Sequence, residues 1–276
     1  MPGIKNLRDK VAVITGAGSG IGRATAHALA GQGAWLMLAD NNPGRLEAVV
    51  AEIRAKDVPA AGLPTDVSDK TQVAALAAAT IETFGRVDIL HNNAGIGWGG
   101  HLASFSLEDW ETIVGVNFWS VVYGVHFFLP HLIRQRSGHI VNTASMAGFF
   151  GLAASGAYTA TKHAVVGLGD VLRAEVRPYN IGVSTICPSM VKTNIVADGK
   201  IVFPESGRMS QEKVAAMFDR FGRSPDKVAR AVVKAIRRDR AFVPVGVDAR
   251  LMWYVKRLSQ RAYQGYVRLS AVIAAR

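Results

Sequence analysis

Tyr158 and Lys162 stand four residues apart, and Ser145 precedes Tyr158 by thirteen. On a helix, that step of four puts the phenol and the ammonium on one face. A phenol titrates near about 10 in water, too high for a useful base at neutral pH. A neighbouring cation stabilises the phenolate and lowers that value. The trio therefore offers an acid/base group of adjustable strength beside a hydroxyl able to hold a carbonyl oxygen. Alone, a Tyr-x-x-x-Lys pair more often marks an aromatic core contact next to a solvated lysine, so its meaning depends on its company.

That company begins with a phosphate cradle. Val11-Ala12-Val13-Ile14 has the length and branching of a buried strand. It runs into Thr15-Gly16-Ala17-Gly18-Ser19-Gly20-Ile21-Gly22, and residues 23–30 read as helix. Glycines let a backbone approach a pyrophosphate, and a helix N-terminus supplies free N–H groups and partial positive charge. The spacing of Gly16, Gly20 and Gly22 is Gly-x-x-x-Gly-x-Gly rather than the commoner Gly-x-Gly-x-x-Gly. A second strand, 34–39, ends in Asp40, eighteen residues past Gly22. A carboxylate there can accept hydrogen bonds from a ribose diol and would repel a 2′-phosphate. Neither Ala17 nor Ser19 is basic, and Asn41 and Asn42 follow Asp40, so NAD is expected over NADP. The plainer alternative is an aspartate that caps the turn Asn41-Asn42-Pro43-Gly44.

These residues together resemble the classical short-chain dehydrogenase/reductase family from about residue 8 to 245. Thr15-Gly16-x-x-x-Gly20-x-Gly22, with Ser19 and Ile21 inside it, looks like the family's cofactor loop. Asp66-Val67 resembles the pair that holds adenine, and Asn92-Asn93-Ala94-Gly95 the motif ending the fourth strand. Asn117, Ser145, Tyr158 and Lys162 match the catalytic tetrad. The segment 188–193, with Pro188, Val191 and Thr193, resembles the stretch that covers the nicotinamide, although Ser189 stands where the family usually has glycine. The resemblance implies that Ser145 donates to the substrate oxygen and that Tyr158 takes the hydroxyl proton as hydride leaves for nicotinamide C4. It implies that Lys162 binds the nicotinamide ribose and depresses the Tyr158 pKa. Asn117 would help hold a water linking the lysine to solvent; otherwise it reads as a polar helix residue satisfied by backbone.

At 276 residues and 49% hydrophobic, the chain can bury a large core. Apolar strands at 11–15, 34–39, 60–64, 87–91, 139–143, 181–187 and 242–245 alternate with helical stretches, which means an α/β parallel sheet covered on both faces. The family adds a single Rossmann-like, seven-stranded doubly wound domain, with ligands beyond the carboxyl ends of the strands. We expect this domain over 1–247, with 194–222 as a substrate lid and 248–276 as a basic amphipathic helical extension. The long helices 118–135 and 158–179 are where the family forms homodimers and homotetramers.

Candidate pocket residues beside the motifs are Ile96, Trp98, Met146, Phe149, Phe150, Ser189, Met190 and Ile195. Their apolar character suits a lipophilic or aryl secondary alcohol or its ketone. In the lid, Phe203 and Pro204, then Met209, Met217, Phe218 and Phe221, fit either a greasy cover or an inward-packing helix. Lys192, Lys200 and Arg208 lie near, but no cluster for an anionic substrate is evident.

Net charge is +11, and residues 226–276 carry twelve Lys/Arg against three Asp/Glu. In the tail, Leu251, Tyr254, Val255 and Leu258 share a helical stripe, as do Tyr263, Tyr266 and Val267. Such a helix either packs on its own domain or a partner subunit, or lies on an anionic membrane surface. No nucleic-acid motif accompanies the charge. Cys187 is the only cysteine and reads as a core thiol; the seven histidines show no metal spacing. The first strand starts by residue 11, leaving no room for a signal peptide, and no unbroken apolar run approaches about 18 residues. A cytoplasmic protein, with peripheral membrane contact through the tail as an option, is expected.

The leading expectation is thus an NAD-dependent secondary-alcohol dehydrogenase or ketone reductase. An NADPH-dependent ketone or 3-oxoacyl reductase comes second, opposed by Asp40. A regulatory dinucleotide-binding protein without chemistry comes third, opposed by the intact tetrad.

Overall fold

Short runs rich in Val, Ile and Leu form seven buried strands: β1 Val11–Thr15, β2 Trp35–Asp40, β3 Ala60–Pro64, β4 Ile89–Asn92, β5 Gly138–Thr143, β6 Ile181–Pro188 and β7 Phe242–Val245. The helices between and after them are α1 Gly20–Ala30, α2 Pro43–Arg54, α3 Lys70–Phe84, α4 Leu107–Gln135, α5 Gly156–Glu175, α6 Gln211–Phe221, α7 Pro225–Arg238, α8 Val247–Leu258 and α9 Gln260–Ala275. This computed structural model describes residues 3–151, 153–202 and 210–275. Phe203, Pro204, Arg208 and Met209 of the expected lid lie outside the described residues.

The strands form one parallel sheet in the order β3-β2-β1-β4-β5-β6-β7. Chain direction across the sheet reverses between β1 and β4, and the crevice opened there is where doubly wound sheets take ligands. One apolar cluster, with Ile14, Leu29, Leu36 and Ile236, fills one face. A second, with Met37, Leu76, Leu90 and Phe128, fills the other. Helix starts are set by local chemistry: Asn42 and Asp69 accept from the backbone N–H groups of Arg45 and Thr71, and Pro43 opens α2.

The expected strands are present with ends moved by a residue or two. A parallel pair of short strands, Trp98–Gly100 with Lys200–Val202, was not foreseen. Gly97, Gly99 and Gly100 hide it, because glycine-rich stretches carry no strand signal. This pair joins the segment after β4 to the segment after β6.

α4 starts eleven residues earlier than expected and contains a π-helical turn, Gly115–Trp119. Its length and composition are sufficient to cross a membrane, with mean hydropathy 1.5 in its best window. Its inner face nevertheless packs on the sheet through Ile113, Val121, Gly124, Phe128 and Leu132. α5 ends at Glu175, before a separate 3-10 turn Arg177–Tyr179 in which Pro178 cannot continue the ladder. α6 has no buried residue, and Met217 and Phe221 are exposed. It is not a core helix.

α8 and α9 are helices, as expected, and they pack on their own domain. Ala249 is fully buried, Met252 and Trp253 are partly so, and Trp253 stacks on Phe242 at 5.9 Å. Of the expected stripe, Leu251, Tyr254 and Leu258 are on the opposite, exposed side, and Val255 is half-buried. Packing therefore uses the second apolar face of this helix, the one that carries Ala249, Met252 and Trp253.

Candidate active site

Ser145 follows β5 and begins a 3-10 turn, where its Oγ accepts from the Ala147 N–H at 3.1 Å. Tyr158 lies in the first turn of α5, and the Ser145 hydroxyl acts on its phenol. One turn on, Lys162 is buried with Nζ 5.6 Å from the Tyr158 ring centroid and donating to the Thr143 carbonyl at 3.2 Å. Asn117 sits on the π-helical turn of α4, the kind of irregularity that re-aims a side chain. Its Oδ1 accepts from the Ile96 N–H at 2.8 Å, and its Nδ2 donates to the Ile96 carbonyl at 2.9 Å. A Cβ added to Gly95 would lie 3.1 Å from Asn117 Oδ1 and 3.2 Å from Lys162 Nζ. The four residues named from sequence thus converge around the carboxyl ends of β4 and β5.

Burial pushes the Tyr158 phenol up to about 12, with the Ser145 hydrogen bond acting in the opposite direction. Burial also pulls the Lys162 ammonium down to about 8. This corrects the expectation of a depressed tyrosine. Desolvation of the phenolate outweighs any help from a lysine that is itself desolvated and short of counter-charge. Cys187 is fully buried and its thiol is pushed up by burial, as suits an inert core residue.

The glycine loop meets the start of α1, where Ser19 makes no side-chain cap and no acid occupies the first turn. The helix's leading N–H groups are left for an anion. Gly22 packs against the Gly16 carbonyl so closely that any Cβ would overlap it. Gly20 adopts φ +51, and a Cβ there would come within 2.8 Å of Thr193 Cγ2, so the loop also abuts the segment after β6. Ile21 packs into the core below. Asn93 Nδ2 donates to the Thr15 carbonyl at 2.9 Å, while Thr15 Oγ1 accepts from the Asn93 and Ala94 N–H groups at 3.0 and 3.1 Å. That lacing ties the first residue of the glycine loop to the end of β4, a role the motif itself did not specify.

Asp40 is buried at the end of β2; Oδ2 accepts from Gly18 N–H at 2.8 Å and Oδ1 from Asn42 N–H at 2.9 Å. An ionised carboxylate has about four acceptor sites, so capacity remains for hydroxyls. Asp66 Oδ1 accepts from the Ser68 N–H and hydroxyl at 2.9 and 2.7 Å, and Val67 is buried beside it. Pro188 ends β6 in register with Val245, and Val191 is buried and bridged to Arg223. An uncapped helix start, glycines with no space for side chains and a strand-end carboxylate fit a dinucleotide.

One cation near Asp40 was missed. The Arg45 Cβ adjoins Gly18, and its guanidinium takes Asp198 at 2.9 and 3.4 Å. The pair joins the start of α2 to the segment after β6, across 153 positions of sequence. Both side chains are exposed, so it restrains rather than locks that segment.

The pocket expectation needs three corrections. Phe150 is fully buried, between the rings of Tyr263 and Tyr266 at 5.0 and 5.1 Å. Phe149 is buried edge-on to Phe242 at 5.5 Å. Ser189 is buried, its Oγ accepting from Arg223 Nε at 3.0 Å. Two aromatics beside a catalytic motif found an aromatic core on the C-terminal helices instead of an open cleft. Ile96, Trp98, Met146, Met190 and Ile195 remain partly accessible, with Trp98 stacked on Phe105 at 6.2 Å. α9 holds the segment after Ser145 directly: Gly151 N–H donates to the Tyr263 hydroxyl at 3.1 Å and Ala153 N–H to Ser270 Oγ at 3.4 Å.

The short chain dehydrogenase family model matches residues 10–200. SadH of Mycobacterium tuberculosis, named as an oxidoreductase, is 35% identical over 268 residues, covering 96% of both chains. EphD of the same organism, also named as an oxidoreductase, is 36% identical over 271 residues, which is 96% of this chain but 45% of EphD, so this chain spans about half of that relative's length. Among solved structures, a short chain dehydrogenase/reductase from Burkholderia phymatum in complex with NAD superposes with TM-score 0.82 at 37% identity, covering 92% of this chain and 96% of that one. The structure of levodione reductase gives TM-score 0.77 at 35% identity, covering 88% and 98%; levodione reductase of Leifsonia aquatica is 37% identical over 241 residues, covering 85% of this chain and 90% of its own. The chain belongs to the short-chain dehydrogenase/reductase family.

Proposed function

We propose that this protein interconverts a lipophilic secondary alcohol and its ketone, using NAD(H). The observation that carries the reading is the placement of Ser145, Tyr158 and buried Lys162 together at the sheet end that holds the glycine loop. When bound, the nicotinamide supplies the acceptor or donor of hydride. The N–H groups at the start of α1 hold the pyrophosphate, Asp40 the adenosine ribose, and Asp66 and Val67 the adenine. Asn93, Ala94 and Gly95 line one side of the cleft; Pro188, Val191 and Thr193 line the other.

Ser145 orients the substrate oxygen, and Tyr158 moves a proton to or from it. With a phenol at about 12, Tyr158 carries its proton at neutral pH and is ready to donate to a ketone oxygen. In the reverse direction it must first lose that proton, which the Lys162 charge assists. Asn117 fixes the Ile96 backbone at the edge of the cleft through its paired bonds. Ile96, Trp98, Met146, Met190 and Ile195 present an apolar wall to the substrate. The likeness to levodione reductase supports a ketone substrate, and that to the NAD-complexed protein supports the cofactor.

Exposed Leu107 and Trp119 on α4 and Val171 on α5 suit a homo-oligomeric contact. A cytoplasmic setting accords with a single unpaired cysteine.

Side-by-side titration with NADH and NADPH tests the cofactor assignment. NADH is expected to bind more tightly, and Asp40→Ala is expected to weaken it about 10- to 100-fold, the worth of a charged hydrogen bond, while improving NADPH binding. Tighter NADPH binding by the unaltered protein would mean that Arg45 leaves Asp198 to answer the 2′-phosphate, and would favour the NADPH-dependent reductase.

A further inference from the structure

α8 is held to the domain by one side and leaves a second apolar stripe on the other. Ala249, Met252 and Trp253 face the core. Val247, Leu251, Tyr254 and Leu258, spaced by four, three and four, are 74%, 55%, 56% and 83% exposed. Four aligned side chains of this size on one solvent face are an interaction surface rather than scattered exposure. Because the inward side is already engaged, the helix cannot turn this stripe into its own core.

The charges around the stripe say what it meets. Arg250 and Arg257 lie along one flank of it, and Arg261 and Arg268 are exposed on α9. Arg257 stacks on the Trp253 ring at 4.4 Å, which draws the base of its side chain along α8. Asp248, the one acid among residues 247–275, is taken by Arg223 at 2.5 Å and offsets none of these cations. A second copy of the chain fits poorly, since a two-fold contact through this stripe would set the arginines of one copy against those of the other. An apolar ridge bordered by arginines instead complements a bilayer surface, with acyl chains beneath anionic headgroups.

We propose that the exposed face of α8, with the arginines of α8 and α9, docks this enzyme on an anionic phospholipid membrane surface. Leu251, Tyr254 and Leu258 enter the headgroup boundary, and Arg250 and Arg257 bind lipid phosphates. The opposite side of α9 holds Gly151 and Ala153, in the segment that follows Ser145, so one pair of helices joins the lipid surface to that segment. That placement suits a substrate that partitions into lipid.

Co-sedimentation of the full chain with phosphatidylcholine vesicles, with and without phosphatidylglycerol, tests the assignment. The unaltered protein is expected to pellet with the anionic vesicles, about tenfold more than with neutral ones, and to be released by salt. Combined Leu251→Glu, Tyr254→Glu and Leu258→Glu should abolish pelleting while NADH affinity and Tm stay unchanged, because all three side chains are exposed. Failure of the unaltered protein to pellet with anionic vesicles would overturn the proposal, as would undiminished pelleting of the triple variant. Light scattering on both proteins supplies the remaining outcome. An oligomer that dissociates in the triple variant, without vesicle binding by the unaltered chain, would assign the stripe to a second copy. None of these readouts depends on turnover, so the oxidoreductase reading stands or falls separately.

Discussion

Tyr158→Phe is expected to lower turnover by about 10²- to 10⁴-fold, the usual worth of a positioned acid/base group, and to leave NADH affinity unchanged. The substitution removes one oxygen and keeps the ring, so packing around α5 is preserved. What disappears is the hydroxyl proposed to move the substrate's proton. The pH profile adds a second readout. Since burial holds the phenol near 12, oxidation by the unaltered enzyme should accelerate as pH rises, because the phenolate fraction grows. Ketone reduction needs the protonated form and should hold level over the same range. The Phe variant should lose the rising limb. Turnover equal to that of the unaltered enzyme would eliminate Tyr158 as the proton-transfer group.

Lys162→Met is expected to separate function from stability. Turnover efficiency should fall by roughly 10²-fold or more, through loss of a charge-assisted contact to the cofactor ribose and of the cation that favours phenolate. The fold, in contrast, should gain. Lowering a lysine from 10.5 to about 8 means that its charge costs the folded state roughly 3 kcal/mol at neutral pH. Methionine fills similar volume without that cost. The lost hydrogen bond to the Thr143 carbonyl takes back about 1 kcal/mol. A net gain of about 1–2 kcal/mol corresponds to a rise in Tm of about 2 to 6 °C for a chain of this size.

The sign of the pH dependence follows from the depressed value. Below about 8, Lys162 is charged in the folded and unfolded states alike, and the penalty is complete. Between about 8 and 10.5 the unfolded chain binds the proton and the folded chain does not, so unaltered stability rises with pH. The gap between the two proteins should therefore be widest at and below pH 8 and close towards 10.5. Thermal unfolding across that range, monitored without cofactor, measures it. A variant less stable than the original at pH 7 would show that Lys162 supports the fold rather than straining it.

At this lysine a residue's neighbours follow from the sequence while its environment does not. Tyr158, Lys162, Ser145 and Asn117 were named from local spacing and motif because the chemistry requires those side chains on particular elements. The pKa values of Tyr158 and Lys162 depend on desolvation, which is set by the elements that close around them, and no local pattern carries that sum. The direction expected for Tyr158 was accordingly opposite to the one the fold produces.

The same division runs through the rest of the molecule. Sequence alone determined the seven strands, the glycine loop, the strand-end carboxylate of Asp40 and the helical character of the tail. Each of these depends on residues within one element or one turn, where periodicity and backbone freedom act directly. Tertiary structure alone decided that Phe149 and Phe150 belong to a core shared with Trp253, Tyr263 and Tyr266. It also decided that Arg45 reaches Asp198, that Trp98–Gly100 pairs with Lys200–Val202, and that α8 packs by Ala249 and Trp253 while Leu251, Tyr254 and Leu258 face outward. A helix with two apolar faces can dock by either one, and only the surface waiting on the domain selects between them.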